Sequence, residues 1–204
     1  MYRRFGKRAF DLVVSIVGLA AISPLLLVTS LLVRVKLGMP VFFVQQRAGC
    51  RGRAFNLYKF RTMSDARDSS GALLPDEARR SSFGDAIRRL SIDELPQLLN
   101  VVRGEMSLIG PRPLSTSYLD RYTPDQARRH AVRPGITGWS QVKGRNSLGW
   151  DAKFKNDVWY VDHLGVMIDT IILAKTLVKV VACSDVAPES EFLGTKANLE
   201  QPDG

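Results

Sequence analysis

The sequence predicts an α+β fold that is mostly helical, with one small β-hairpin and an N-terminal segment suited to a membrane. Three features carry this reading. Residues 12–33 form an uncharged apolar run of 22 residues with Ser23-Pro24 at its middle. Two stretches rich in β-branched and aromatic residues, 41–46 (VFFVQQ) and 55–63 (FNLYKFRTM), flank a glycine-bearing turn at 48–53. Most of the remainder shows helical periodicity broken by glycine and proline.

The apolar run is long enough to span a bilayer as a helix. Pro24 removes a helical hydrogen bond and crowds the preceding turn, so each half is only about 11 residues, roughly 16 Å. Both flanks are basic, with Arg3, Arg4, Lys7 and Arg8 before the run and Arg34 and Lys36 after it. The positive-inside tendency would hold both ends in the cytoplasm. These residues fit a helix-break-helix hairpin that enters one leaflet and returns, with Ser23 bonding a freed backbone group. They fit a kinked transmembrane helix equally. A cleaved signal peptide is not expected, because the run is too long and no small-residue cleavage site follows it.

Beyond the hairpin strands, residues 64–75 read as a polar loop. Helices are expected at 83–89 and 94–102, ended by the glycines and prolines of 104–113. Residues 118–130 suit a polar helix. Residues 133–149 hold five glycines or prolines and read as an irregular loop, followed by a helix at 151–162. The segment 164–181 is apolar nearly all round, with Asp169, Lys175, Thr176 and Lys179 on one side of the helical wheel. A helix lying in a membrane interface and a plain core helix both show that pattern. The expected division is residues 1–36 as the membrane element, 37–182 as a cytoplasmic domain, and 183–204 as a loose C-terminal tail.

A net charge of +9 and a pI of about 9.9 favour phosphate-rich partners: nucleic acid, an anionic membrane, or phosphorylated small molecules. Cys50 and Cys183, 133 positions apart, make neither a disulfide framework nor a metal site. No phosphate-binding G-x-x-x-x-G-K-[ST] loop, zinc spacing or Ser-His-Asp order is present. His130 and His163 are read as structural.

The chemistry points to SIDELPQL, residues 91–98, where Asp93 and Glu94 are adjacent and Pro96 follows. One reading is helix capping, by Ser91 with Glu94 or by Asp93. The other is a catalytic or metal-binding pair, since adjacent helical residues point about 100° apart. Basic residues surround the pair: Arg88, Arg89, Arg103, and Arg112 held between two prolines in GPRP. A guanidinium can grip phosphate through two parallel hydrogen bonds. In RPGITGWSQVKGRN, residues 133–146, glycines would let the backbone approach a ligand. Trp139 offers a stacking face there, and Lys143 and Arg145 offer charge.

KFRTM (59–63), LSIDELPQLLNVVRGEMSLIGPRP (90–113), RPGITGWSQVKGRN and the segment 157–160 together resemble the bacterial sugar transferase family. More narrowly, the chain resembles its small monotopic phosphoglycosyl transferases of the bacillosamine-phosphate transferase type, over roughly residues 1–181. The resemblance implies a re-entrant membrane helix-break-helix at Ser23-Pro24 and a place on the cytoplasmic face of the bacterial inner membrane. It implies transfer of a sugar-1-phosphate from a UDP-sugar to polyprenyl (undecaprenyl) phosphate, with UMP released. Asp93 would be the nucleophile on the β-phosphate, forming an aspartyl phosphosugar. Glu94 would assist, and the Asp93–Glu94 pair would hold Mg²⁺. Arg112 would position phosphate, with Lys59, Arg88 and Arg145 as further substrate-binding residues. An N-acetylated or diacetamido sugar is the nearest match, and the step would open the assembly of an O-antigen, capsule, exopolysaccharide or glycoprotein glycan.

The residues accommodate that chemistry. A carboxylate can attack phosphate only where cations offset the repulsion, and covalent catalysis divides transfer between two unlike substrates into two steps. Ser140 stands where the resemblance leads one to expect alanine, a change expected to matter little. Membrane lipids are expected partners, nucleic acid is not, and a homodimer is left open. The rival readings are a glycosyltransferase that moves sugar alone and a membrane-tethered nucleic-acid-binding protein indifferent to Asp93.

Overall fold

The computed structural model describes residues 2–144 and 148–181. Helix α1 runs through Lys7–Leu37. The helix runs on through Ser23-Pro24, so no non-helical residue separates the two halves. The reason is local. Proline has no amide to give the carbonyl four residues back, and the Ser23 hydroxyl donates to that carbonyl, Ala20 O, at 2.8 Å instead.

The burial of α1 is inverted relative to a soluble helix. Its buried residues are Lys7, Asp11, Ser15, Thr29 and Val33. Its exposed side carries Val13, Ile16, Val17, Leu27, Leu31 and Val35, each more than half exposed. The helix is long and apolar enough to cross a membrane, and only 11% of its apolar window is buried. Both ends rest on the same domain. Near the N-terminus Arg8 donates to Val101 O and Val102 O, and Asp11 accepts from the Leu108 amide. Near the C-terminus Val33 packs with Phe60 and Ile87.

Strands β1 (Phe42–Ala48) and β2 (Ala54–Phe60) form the antiparallel hairpin read from the sequence, with Phe42 opposite Phe60 and Ala48 opposite Ala54. Strand alternation places Phe55, Leu57 and Lys59 on one face. Phe55 and Leu57 enter the main core, and Lys59 continues their row to the core's edge.

A short α2 (Asp76–Arg79) precedes α3 (Ser82–Arg89), which Ser81 caps by accepting from the Gly84 amide. Helix α4 (Gln97–Arg103) starts three residues later than expected, behind Pro96. Strands β3 (Ser107–Ile109) and β4 (Gly135–Thr137) pair in parallel, inside segments that read as loop. The glycines there bring backbone to backbone rather than to a ligand: a Cβ on Gly135 would lie 2.0 Å from Gly110 N.

The polar helix expected at 118–130 is three pieces. A 3₁₀ turn at Thr116–Arg121 gives way to α5 (Pro124–Ala127), then to a second 3₁₀ turn at Arg128–Ala131. Pro124 starts the middle piece behind a Thr123–Gln126 capping box. Helix α6 (Trp139–Lys143) lies within the expected loop, and α7 (Trp150–His163) matches its expected position.

Helix α8 (Val166–Val181) buries one apolar side and exposes another. Ile172 enters the core, while Asp169 is buried against Lys7, Tyr2 and Tyr160. Asp169 therefore belongs to the buried side of the helix. Val166, Met167, Leu177 and Val178 are the exposed side. The main core joins Phe55, Leu57, Val101, Met106, Ile109, Tyr160 and Ile172. The tail read as residues 183–204 lies outside the described residues.

Candidate active site

Asp93 and Glu94 occupy a 3₁₀ turn, Ile92–Glu94, between α3 and α4. Ser91, before it, takes the left-handed conformation (φ 56°, ψ 21°) and reverses the chain as it leaves α3. Neither Ser91 nor Asp93 caps α4, so the capping reading fails and both carboxylates are turned to other partners.

Those partners are cations. Lys59 Nζ lies 2.8 Å from Glu94 Oε1 and 3.8 Å from Asp93 Oδ2. Arg112 Nη2 is 3.1 Å from the same Glu94 oxygen. Burial pushes Glu94 up, but Lys59 and Arg112 outweigh it and hold the group down at about 2. Asp93 is 8% exposed, and its burial dominates. Its pKa is pushed up to about 6, with Lys59 pulling it down and the charge of Glu94 adding to the rise. Two adjacent carboxylates thus differ in role: one is a permanent anion neutralised by cations, the other a raised, weakly compensated anion.

Both line a cleft of about 1240 Å³. Lys59, Arg61, Arg79, Arg80, Arg88 and Arg112 line it, with Arg61, Arg79 and Arg80 paired to Asp65, Asp76 and Asp85 of the same lining. Arg88 is fixed by its Nε, which donates to Thr62 Oγ1 at 2.8 Å. Leu95, Leu98, Leu108, Ile136, Leu173 and Leu177 supply an apolar wall. The expected residues Asp93, Glu94, Lys59, Arg88 and Arg112 are therefore gathered in one place. Arg145 lies outside the described residues. Ser23 and Pro24 are exposed on α1, away from the cleft lining. Trp139 is also absent from that lining. It stacks on Trp159 at 4.8 Å, beneath Lys143 and Lys175, so the stacking face read from the sequence is filled from within the chain.

Sequence reasoning missed the support beneath Arg112. Arg129 is 3% exposed, and its Nε and Nη2 donate to Asp157 Oδ2 at 3.0 and 2.7 Å. Nη2 also donates to Arg112 O at 2.7 Å. Ser140 donates to the other Asp157 oxygen at 2.8 Å. The network fixes the P-R-P backbone, and Ser140, expected to matter little, is a buried member of it. The segment 157–160 stood out in the sequence, yet its ionic partner is 28 residues away. His130 is structural as expected. Its Nδ1 bonds Gly49 O at 3.0 Å, and burial lowers its pKa to about 4, leaving a neutral ring.

A raised carboxylate beside Lys59, Arg88 and Arg112, in a cleft that also has apolar lining, has the chemistry of an enzyme site. The comparisons give the family. The model of the bacterial sugar transferase family matches residues 2–183, and the chain belongs to that family. It is 55% identical to the uncharacterized sugar transferase EpsL of Bacillus subtilis (strain 168), over 88% of this chain and 89% of the relative. It is 38% identical to the UDP-N-acetylgalactosamine-undecaprenyl-phosphate N-acetylgalactosaminephosphotransferase of Aeromonas hydrophila, over 85% of this chain. It is also 38% identical to the undecaprenyl-phosphate galactose phosphotransferase of Salmonella typhimurium, again over 85% of this chain. The matched region spans 43% and 40% of those two longer proteins.

Proposed function

We infer that this chain transfers a sugar-1-phosphate from a UDP-sugar to undecaprenyl phosphate, with release of UMP. The observation that carries the reading is the unequal pairing of Lys59 with Asp93 and Glu94 inside a basic cleft. Asp93, ionised at neutral pH but only weakly paired, is the nucleophile. Its carboxylate oxygen attacks the β-phosphorus of the donor. The bond from that phosphorus to the bridging oxygen breaks, and the oxygen leaves with UMP. An aspartyl phosphosugar remains. An oxygen of the acceptor phosphate then attacks the same phosphorus and frees the Asp93 carboxylate, giving a polyprenyl-diphosphate sugar. Glu94 keeps Lys59 and Arg112 in place, and Arg112 and Arg88 bind phosphate oxygens.

Mg²⁺ fits this donor set. Among the described residues no cluster of three His, Cys, Asp or Glu forms, and two carboxylates completed by phosphate oxygens and water are a usual magnesium environment. Asp93 and Glu94 would hold the ion, which when bound offsets phosphate charge.

The inverted faces of α1 and the exposed apolar side of α8 support a place at a membrane. Contact of both ends of α1 with one domain favours a helix that stays on one side of the bilayer, the cytoplasmic face, over one that crosses it. The two named relatives carry different sugars, so the sugar is a matter for assay. A screen of UDP-sugars with undecaprenyl phosphate, with nucleotide release as readout, tests the reading. UMP is the expected product, whereas UDP would show transfer of sugar alone.

A further inference from the structure

We propose that the isoprenoid chain of the lipid-phosphate acceptor leaves the catalytic cleft between α4 and α8, over Leu95, Leu98, Leu173 and Leu177. This rests on the reading of the site as a transferase to a lipid phosphate. The cleft is continuous from the carboxylates to these side chains. On one side Leu95 and Leu98 follow Glu94 directly, and both line it. Leu173 and Leu177, one turn apart on α8 and therefore on one side of that helix, line the same cleft, and Leu98 and Leu173 both pack against the main core. Leu177 is 67% exposed at the outer edge, beside the 69% exposed Val178, so the apolar wall opens onto the outward apolar side of α8.

Of the polar groups in this part of the lining, the hydroxyls of Thr137 and Thr176 bond each other at 2.7 Å, and Gln141 donates to Ile136 O while its buried Oε1 has no partner among the described residues. The charged part of the lining around Arg88 suits the nucleotide diphosphate but gives a hydrocarbon no favourable contact. An acceptor whose phosphate sits near Lys59 and Arg112 must send its chain elsewhere, and these leucines are apolar side chains of the same cleft.

The test uses the full chain in lipid nanodiscs, with a UDP-sugar it accepts and undecaprenyl phosphate. Two quantities are read: the burst of UMP per enzyme without acceptor, and kcat/KM for the acceptor. Leu173→Gln and Leu177→Glu should keep the burst within twofold of the unaltered chain and lower acceptor kcat/KM at least tenfold. Leu177 is exposed, so its variant should fold even if the Leu173 variant does not. Val178→Glu places the same charge one residue on, outside the cleft lining, and should stay within threefold. Acceptor use within twofold in Leu177→Glu would overturn the proposal. An equal loss in Val178→Glu would also overturn it, assigning the effect to general membrane contact of α8. Absence of any UMP burst in the unaltered chain would instead defeat the functional reading, and the path with it.

Discussion

Lys59 Nζ stands 1.0 Å closer to Glu94 than to Asp93, at 2.8 against 3.8 Å, and this asymmetry separates the two carboxylates. Glu94, shared between Lys59 and Arg112, stays ionised at any working pH, with its pKa held at about 2. In the metal-free protein burial pushes Asp93 up to about 6. Bound Mg²⁺ would favour the ionised carboxylate, so the rate of the UMP burst should fall about tenfold per pH unit on an acid limb lying at or below pH 6, and be level above it. An acid limb that lies well above pH 6 would count against the assignment.

Replacing Lys59 by methionine removes the largest attraction holding the Asp93 proton off. The acid limb of that profile should then move to higher pH than in the unaltered chain. The donor KM should rise as well, since Lys59 lines the cleft. A pH–rate series on Lys59→Met reads both effects, and an acid limb that does not move would contradict them.

Asp93→Asn should abolish turnover and stabilise the fold. A carboxyl whose folded pKa lies above its unfolded value is more costly to ionise when folded. The cost is absent below about pH 4, grows to about pH 6, and is fully present above. A rise from 3.8 to about 6 corresponds to an upper figure near 3 kcal/mol. Denaturant unfolding should therefore show the variant about 1–3 kcal/mol more stable at pH 8 and no different at pH 3.5.

Much of this architecture is legible in the sequence, and the exceptions have physical causes. The hairpin and α7 follow from alternation and periodicity within a few residues. The parallel pair β3–β4 does not, because each strand is three residues long and its partner is 28 residues away. The Asp93–Glu94 site is legible as a motif, but the Arg129–Asp157 pair beneath it joins two polar segments that look solvated when read singly. Thr123-Pro124 with Gln126 did carry a helix-start signal, which the run of polar residues from 118 masks. At Pro24 the expected role of Ser23 is met, since its hydroxyl, in place of proline's missing amide, bonds the carbonyl that is freed.

That replacement can be tested as a cycle. Ser23→Ala should cost about 1–3 kcal/mol, because Ala20 O then loses its donor. In a Pro24→Ala background the backbone amide restored at position 24 donates to Ala20 O, and the same serine change should cost close to nothing. Unfolding in lipid nanodiscs gives the coupling energy directly, and equal costs in both backgrounds would refute the pairing.

Removing one member of the buried Arg129–Asp157 pair leaves an uncompensated charge, so Arg129→Met should destabilise by about 3–5 kcal/mol. Ser140→Ala, which loses a single bond to Asp157, should cost about 1 kcal/mol. Thermal unfolding of the two variants ranks them, and a larger loss for Ser140→Ala would contradict the network.

The most direct test is to stop the enzyme partway. Incubation with a donor radiolabelled in the β-phosphate, without acceptor, followed by denaturation and peptide mapping, should place the label on the peptide containing Asp93. Adding undecaprenyl phosphate before denaturation should discharge it. Label that is absent during active UMP release, or that persists in Asp93→Asn, would contradict attack by that carboxylate.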